Sequence, residues 1–179
     1  GLGDVYKRQS VINVNNRDTN VILGDEEIVL TSKNYICDIM CKNAVNIAPK
    51  AFYQVNTPCA EQLYSSACDF AEPKGKTVLD LYCGAGTIGL SMARTAKKII
   101  GVEIVPEAIE NAKQNALAND ITNCEFICAD AAEAARILHS RNLRPDVIMV
   151  DPPRKGCGRD ACEQIAAFSA CLLYTSPSP

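Results

Sequence analysis

The strongest constraint in this sequence is the regular alternation, after Pro49, of short apolar runs with helical stretches. KTVLDLY reads as a buried strand, Thr87 to Thr95 as the helix after it, Lys98 to Glu103 as a second strand and Pro106 to Ala118 as a helix. CEFICAD supplies a third strand, Ala131 to Ser140 a helix, DVIMVDPP a fourth strand and Ala161 to Ala170 a last helix. An earlier helix, Thr57 to Phe70, has Thr57 as its expected N-cap and Pro58 at the first helical position, where the missing N–H has no intrahelical partner to lose. Alternation with such short connections predicts an α/β fold, a doubly wound and mostly parallel sheet in which Thr77 to Leu81, Lys98 to Glu103, Cys124 to Cys128 and Val147 to Val150 are neighbouring parallel strands. Before Ala48 the character differs. VINVNN, TNVILG and EEIVLTS are short β-prone runs separated by turn residues, the pattern of small antiparallel strands.

The first strand runs into LDLYCGAGTIG, Leu79 to Gly89, whose last six residues spell G-x-G-x-x-G. Glycines at this spacing bring backbone close to a ligand at a strand-to-helix turn, and in a doubly wound sheet ligands sit beyond the carboxyl ends of the strands. Each strand end here carries polar residues. The first has Asp80 and then Tyr82. The second ends in Glu103, 17 residues beyond Gly86 and suited to ribose hydroxyls, and the third leads to Asp130, placed to meet an adenine amino group. An acid on a ribose serves nicotinamide cofactors and S-adenosylmethionine alike, so Glu103 does not discriminate between them. The fourth strand does. VDPPRKGC sets Asp151 ahead of two prolines, which remove two backbone donors and hold a stiff, extended loop. A loop of that kind suits a methyltransferase that must hold a planar base edge-on after it has left its stack, and a dehydrogenase has no need of it.

Four ordered motifs carry a resemblance that spans nearly all of Ser10 to Ala170: FYQVN at Phe52 to Asn56, LDLYCGAGTIGL at Leu79 to Leu90, GVEIVPEAIENAKQNA at Gly101 to Ala116, and VDPPRKGC at Val150 to Cys157. Together they resemble the RNA uracil-5 methyltransferases, whose catalytic domain is Rossmann-like. The resemblance implies S-adenosyl-L-methionine as cofactor, held by Gln54, Tyr82, Glu103 and Asp151, with Gly84 and Gly86 in the glycine turn and Thr87 and Asp130 as further contacts. DPPRKG, in place of the DPPRAG of the transfer-RNA branch, is similar to the ribosomal-RNA branch, so the implied substrate is a uridine of 23S ribosomal RNA, with transfer RNA as the alternative. The segment Ser10 to Ile47 would be the end of a central β-rich domain that helps shape the RNA cleft. Outside this family, a nicotinamide-dependent oxidoreductase and a module that only binds the cofactor remain open.

The implied chemistry requires a cysteine. Carbon 5 of uracil is a poor nucleophile, so a thiolate adds to carbon 6 first, and a general base later removes the carbon-5 proton. In the family that cysteine lies in a motif resembling V-S-C-N-P, on a strand beyond the helix expected to end near Ala170. The motif is missing here, as is the glutamate base, so the catalytic residues are unassigned. Cys157 belongs to the D-P-P loop, Cys83 is expected to pack under the cofactor, and Cys171 falls in the last nine residues.

Composition sets the remaining bounds. At 179 residues and 47% hydrophobic content the chain can bury one sizeable core. It has no run of 18 apolar residues and no basic leader into an apolar stretch, which predicts a cytoplasmic protein with no membrane partner, most simply a monomer. Ten cysteines without a C-x-x-C pair read as buried free thiols, Cys124 and Cys128 among them, with no metal site; the single histidine, His139, reads as a surface residue near a helix end. The net charge of −3 gives no electrostatic support for gripping RNA phosphates. Both ends, GLGDVYKRQ and CLLYTSPSP, resemble translated adapter sequence, and the second continues neither a helix nor a strand by its Ser/Pro content. The expected organisation is therefore a non-native leader at 1–9, part of a β-rich domain at 10–48, a truncated methyltransferase domain at 49–170 and a non-native tail at 171–179.

Overall fold

The structure, a computed structural model, describes residues 9–16, 18, 22–24, 26–49, 51, 53–54, 56–152 and 156–168, and the backbone of 172–175. Two antiparallel pairs open the chain. Strand β1 (Val11–Val14) pairs with β2 (Glu26–Val29), and β3 (Ile36–Met40) pairs with β4 (Asn43–Ile47). The first pair confirms VINVNN and EEIVLTS as strands. In TNVILG, Thr19 to Val21 lie outside the described residues, and Ile22 to Gly24 form no strand. The β3–β4 turn is made by Cys41 and Lys42, both left-handed at φ 50° and 67°. Neither is the glycine or asparagine that usually marks such a turn.

Helix α1 (Thr57–Ala71) leads into the main sheet. Its N-cap is Asn56, whose side chain accepts from the Cys59 N–H, so the expected assignment to Thr57 is off by one residue. Strand β5 (Thr77–Leu81), helix α2 (Thr87–Met92), strand β6 (Lys98–Glu103), helix α3 (Pro106–Ala118), strand β7 (Cys124–Cys128), helix α4 (Ala131–Ser140) and strand β8 (Val147–Val150) follow, then helix α5 (Arg159–Ala166) and strand β9 (Leu172–Thr175). The five strands form one parallel sheet in the order β7-β6-β5-β8-β9. The chain winds outward from β5 through β6 to β7, then returns to the other side of β5 with β8. The winding therefore reverses beside β5, which is where this class of sheet opens a ligand crevice.

Most strand and helix limits fall where the apolar runs predict, and the departures have local causes. Helix α2 stops at Met92 and not at Thr95, because Asn123, just before β7, donates to the carbonyls of Ala93 and Ala96 and so satisfies the helix end from outside. Helix α5 begins at Arg159 after the extended Gly158 and ends at Ala166, earlier than expected. The final stretch is a correction of a different kind. Leu172–Thr175 forms β9, pairing with β8 from Val147↔Leu172 to Val150↔Thr175. The β-prone LLYT outweighs the Ser/Pro content around it.

The interior lies on both faces of the sheet. Leu79, Leu81, Ile100 and Val102 pack with Ala134, Ala135 and Leu138 of α4 and Ile165 of α5 on one face. Val78, Ile99, Val147 and Met149 pack with Ala67 and Ala71 of α1 and Leu90 and Met92 of α2 on the other. His139 lies in the last turn of α4 as expected, but half-buried. Its ring stacks on Phe168 at a centroid distance of 4.1 Å, and its Nε2 is buried. Cys128, expected to be buried, is exposed because it is the last residue of β7.

Candidate functional site

A cavity of about 1150 Å³ opens at the carboxyl end of the parallel sheet. Seven of the eight sequence-expected residues line it: Gln54, Tyr82, Gly84, Thr87, Glu103, Asp130 and Asp151. They come from five separated stretches of chain, brought together because β5, β6, β7 and β8 run parallel and end at one level. Gly86 is the exception. It lies behind the turn at φ 81°, where an added Cβ would stand 3.1 Å from the Ala112 Cβ and 3.3 Å from the Phe126 ring. Its glycine identity serves the left-handed turn and its packing on α3 and β7, with no side chain tolerated in that geometry. Gly89, the third glycine of the motif, lets α2 approach the sheet, since a Cβ there would fall 2.8 Å from Ile99.

Glu103 is the most connected polar group of the site. Its Oε2 accepts from the Gly84 N–H at 3.2 Å, and its Oε1 accepts from the N–H groups of Ile104 at 2.8 Å and Val105 at 3.0 Å. The carboxylate thus braces the glycine turn against the end of β6. An ionised carboxylate offers about four lone-pair directions, so Oε2 retains one beyond the Gly84 bond. Asp130 is the N-cap of α4 and accepts from the Glu133 N–H at 2.8 Å. Asp151 directly follows β8 and is exposed at the cavity. Pro153, Arg154 and Lys155 of the D-P-P loop, and Phe52 and Val55 of FYQVN, lie outside the described residues.

Tyr82 closes one wall. It sits at φ 64°, a left-handed conformation that a bulky residue adopts only where the surroundings enforce it. Its hydroxyl donates to the Cys157 Sγ at 3.7 Å, and burial together with that bond pushes the phenol up to about 12. Thr87 shares a hydrogen bond of 3.1 Å with Tyr64, a buried residue of α1 whose hydroxyl burial also pushes up. Beneath the turn, Asp80 is fully buried and accepts from the Gly89 N–H at 3.0 Å. Burial raises its carboxyl to about 7 against that hydrogen bond, and the negative charges of Asp151 and Glu103 add to the rise. Burial also holds two cysteines as thiols: Cys83 is pushed well up, and Cys124 to about 12.

Sequence reasoning missed Tyr53, Tyr64, Ala85 and Ile104, all of which line the cavity. Ile104 could have been found, because it is an apolar residue, 63% exposed, immediately after the acid that ends β6. Tyr64 could not, since its place depends on how α1 packs. Tyr53 is held by a contact across the fold: its hydroxyl donates to Asp38 of β3 at 2.8 Å, and Thr57 donates to the same oxygen at 3.2 Å.

The architecture is that of the S-adenosylmethionine-dependent methyltransferases. A Pyrococcus abyssi tRNA (uracil-54, C5)-methyltransferase, solved in complex with S-adenosyl-L-homocysteine, superposes with a TM-score of 0.74 at 24% identity, over 91% of this chain and 39% of that one. A putative methyltransferase of that class from Streptococcus mutans gives 0.58 at 15% identity, over 76% of this chain and 41% of its own. Residues 25–179 match the tRNA (Uracil-5-)-methyltransferase family, and the chain belongs to it. Among its relatives are uncharacterized RNA methyltransferases of Clostridium acetobutylicum, 47% identical over 169 residues, and Staphylococcus aureus, 46% identical, each covering 93% of this chain. The chain spans 37% of the length of those relatives.

Proposed function

We propose that the chain is the methyl-donor-binding part of an enzyme that methylates carbon 5 of a uridine in RNA. The observation that carries this reading is the convergence of Glu103, Asp130, Asp151 and the glycine turn on one cavity at the reversal point of the sheet. S-adenosyl-L-methionine supplies an electrophilic methyl group when bound. The residues present fit it: Oε2 of Glu103 retains a lone pair for a ribose hydroxyl, the exposed Ile104 offers an apolar face beside it, and Asp130 stands at the mouth of α4 for an amino group. Gln54, Tyr82, Gly84, Thr87 and Asp151 line the remainder, and Gly86 shapes the turn from behind.

The acceptor in this proposal is ribosomal RNA, on the sequence VDPPRKGC, with transfer RNA as the second reading because of the family the chain belongs to. A thiolate must activate the uracil, and neither Cys83 nor Cys124 suits that role, since burial holds each as a thiol. Strand β9 runs beside β8 and is followed in sequence by Ser176 and Pro177, with no cysteine there. Because the chain spans 37% of its relatives' length and Cys157 belongs to the D-P-P loop motif, we assign the nucleophile and base to the part of the parent protein outside this chain.

The test uses labelled S-adenosylmethionine with unmodified ribosomal RNA and, separately, unmodified transfer RNA. The parent protein is expected to place label on carbon 5 of a ribosomal uridine, and this chain alone to transfer none. Label in transfer RNA only would overturn the ribosomal assignment. Label transferred by this chain and abolished by Cys157→Ala would overturn the assignment of the nucleophile.

A further inference from the structure

Helix α3 carries Asn111 and Asn115 and ends in Asn119 as its C-cap, one asparagine per turn along a single stripe. The stripe lies against the outer edge of β4, whose other edge is paired with β3. A bare strand edge presents an N–H and a C=O at every second residue. Here the asparagine amides meet them in order. Asn119 accepts from the Ala44 N–H at 2.8 Å and donates to the Ala44 carbonyl at 2.7 Å. Asn115 accepts from the Asn46 N–H at 2.8 Å and donates to its carbonyl at 3.2 Å. Asn111 accepts from the Ala48 N–H at 3.4 Å. The match has a metric reason: four helical residues rise about 6 Å, and two strand residues about 6.6 Å. A primary amide, with donor and acceptor on one planar group, therefore stands in for a peptide of a neighbouring strand at successive steps.

Asn115 does more than its neighbours. It is fully buried at 0% exposure, and its Nδ2 also donates to the Ala85 carbonyl at 3.1 Å. Ala85 is the residue between Gly84 and Gly86 in the turn, and it lines the cavity. The peptide that carries this carbonyl ends in Gly86, which tolerates either orientation of that plane because it lacks a Cβ. Without Asn115 that peptide plane is held only by the Gly86 N–H, which donates to the Cys83 carbonyl at 2.8 Å.

We infer that Asn115 is a positioning residue for the cofactor turn, fixing the Ala85–Gly86 peptide and joining the β3–β4 hairpin to the cavity. The binding part of this inference rests on the methyl-donor reading of the cavity; the conformational part does not.

The test compares Asn115→Asp with Asn119→Asp in the full chain. Both place a carboxylate against two carbonyl oxygens, and only the first touches the turn. Amide hydrogen exchange is measured without ligand, and affinity for S-adenosyl-L-homocysteine is measured by titration. Asn115→Asp is expected to speed exchange at Gly86, Gly89 and Leu90 and to weaken binding about tenfold, the effect of leaving one buried carbonyl unpaired. Asn119→Asp is expected to speed exchange along β4 while leaving the turn unchanged and affinity within about twofold. Unchanged exchange of the turn in Asn115→Asp, or equal changes in both variants, overturns the inference. If the wild-type chain binds no S-adenosyl-L-homocysteine, the methyl-donor reading fails, and the exchange comparison alone decides the role of Asn115. Should Asn115→Asp not fold, Asn115→Ala against Asn119→Ala provides the same contrast without the charge, with the same overturning result.

Discussion

Strands β5, β6 and β8 are buried along almost their whole length, whereas β1 and β2 leave Ile12, Ile28 and Val29 between 42% and 48% exposed. The two regions are held by different forces. Parallel strands with helices on both faces shed water from nearly every side chain, so their stability scales mainly with apolar area. The antiparallel segment is mixed: β1 and β2 bury little, while the β3–β4 hairpin packs Met40 and Val45 against Ala60 and Tyr64 of α1. To that small core the hairpin adds directed bonds: the asparagine stripe of α3, the Asn43 amide on the Leu90 carbonyl, and Asp38 on Tyr53 and Thr57. The cavity lies where these two regimes meet, with its floor on the sheet, Tyr53 held by Asp38 of β3 and Ala85 by Asn115 of α3.

Truncation should separate the regimes most sharply. Leu79→Ala, at a fully buried site in the central strand, is expected to destabilise the chain by about 2–5 kcal/mol in denaturant titration. A value under 1 kcal/mol there would mean that the sheet is not the main source of stability.

The two regions also carry acids whose shifts have opposite sign, Asp80 buried and Asp38 half-exposed. Asp80, in central strand β5, has its carboxyl raised from 3.8 to about 7 by burial, so the folded state keeps a proton that the unfolded chain has already lost. Its contribution is fully present below about pH 4 and is lost as pH rises towards 7, on the order of a few kcal/mol over that window. Asp38, in the hairpin, is lowered by the Tyr53 hydroxyl first, with the Ile39 N–H and the Thr57 hydroxyl assisting. Its contribution is present above the ordinary value of 3.8 and is lost as pH falls below it. Asp80→Asn should therefore flatten the stability profile between pH 4 and 7, and Asp38→Asn should flatten its acid limb. A fall between pH 4 and 7 that persists in Asp80→Asn would assign that slope to another group.

At the meeting point, Glu103→Ala removes both an acceptor in the cavity and the brace on Gly84. Affinity for S-adenosyl-L-homocysteine should drop by roughly 1.5–3 kcal/mol, as for hydrogen bonds to a charged group. Unchanged affinity would remove Glu103 from the site. The smallest effect belongs to the exposed pair: Ile28→Ala should cost under about 1 kcal/mol. A cost equal to that of Leu79→Ala would show that β1 and β2 are part of the core.

This contrast also explains what could be read from the sequence. Strands β5 to β8 and helices α3 and α4 were legible to the residue, because burial on both faces writes itself as continuous apolar runs and because Pro106 and Asp130 mark helix starts locally. The strand-end polar residues were legible for the same reason, since parallel strands ending at one level must gather them. What was hidden is held by distant partners. The early end of α2 depends on Asn123, the place of Tyr53 on Asp38, and the docking of β4 on three asparagines more than 60 residues away. No local pattern in ICDIMCKNAVNI announces that edge. Strand β9 was obscured for a different reason: its four residues run directly into SPSP, a stretch of equal length that breaks any strand pattern.

The most direct measurement is a calorimetric titration of the whole chain with S-adenosyl-L-homocysteine and, separately, with NADH. Saturable binding of S-adenosyl-L-homocysteine at one site, with no heat from NADH at matched concentration, is the result expected if the cavity at the end of β5, β6, β7 and β8 is a methyl-donor site. Preferential binding of NADH, or no binding of S-adenosyl-L-homocysteine by the folded chain, would contradict it.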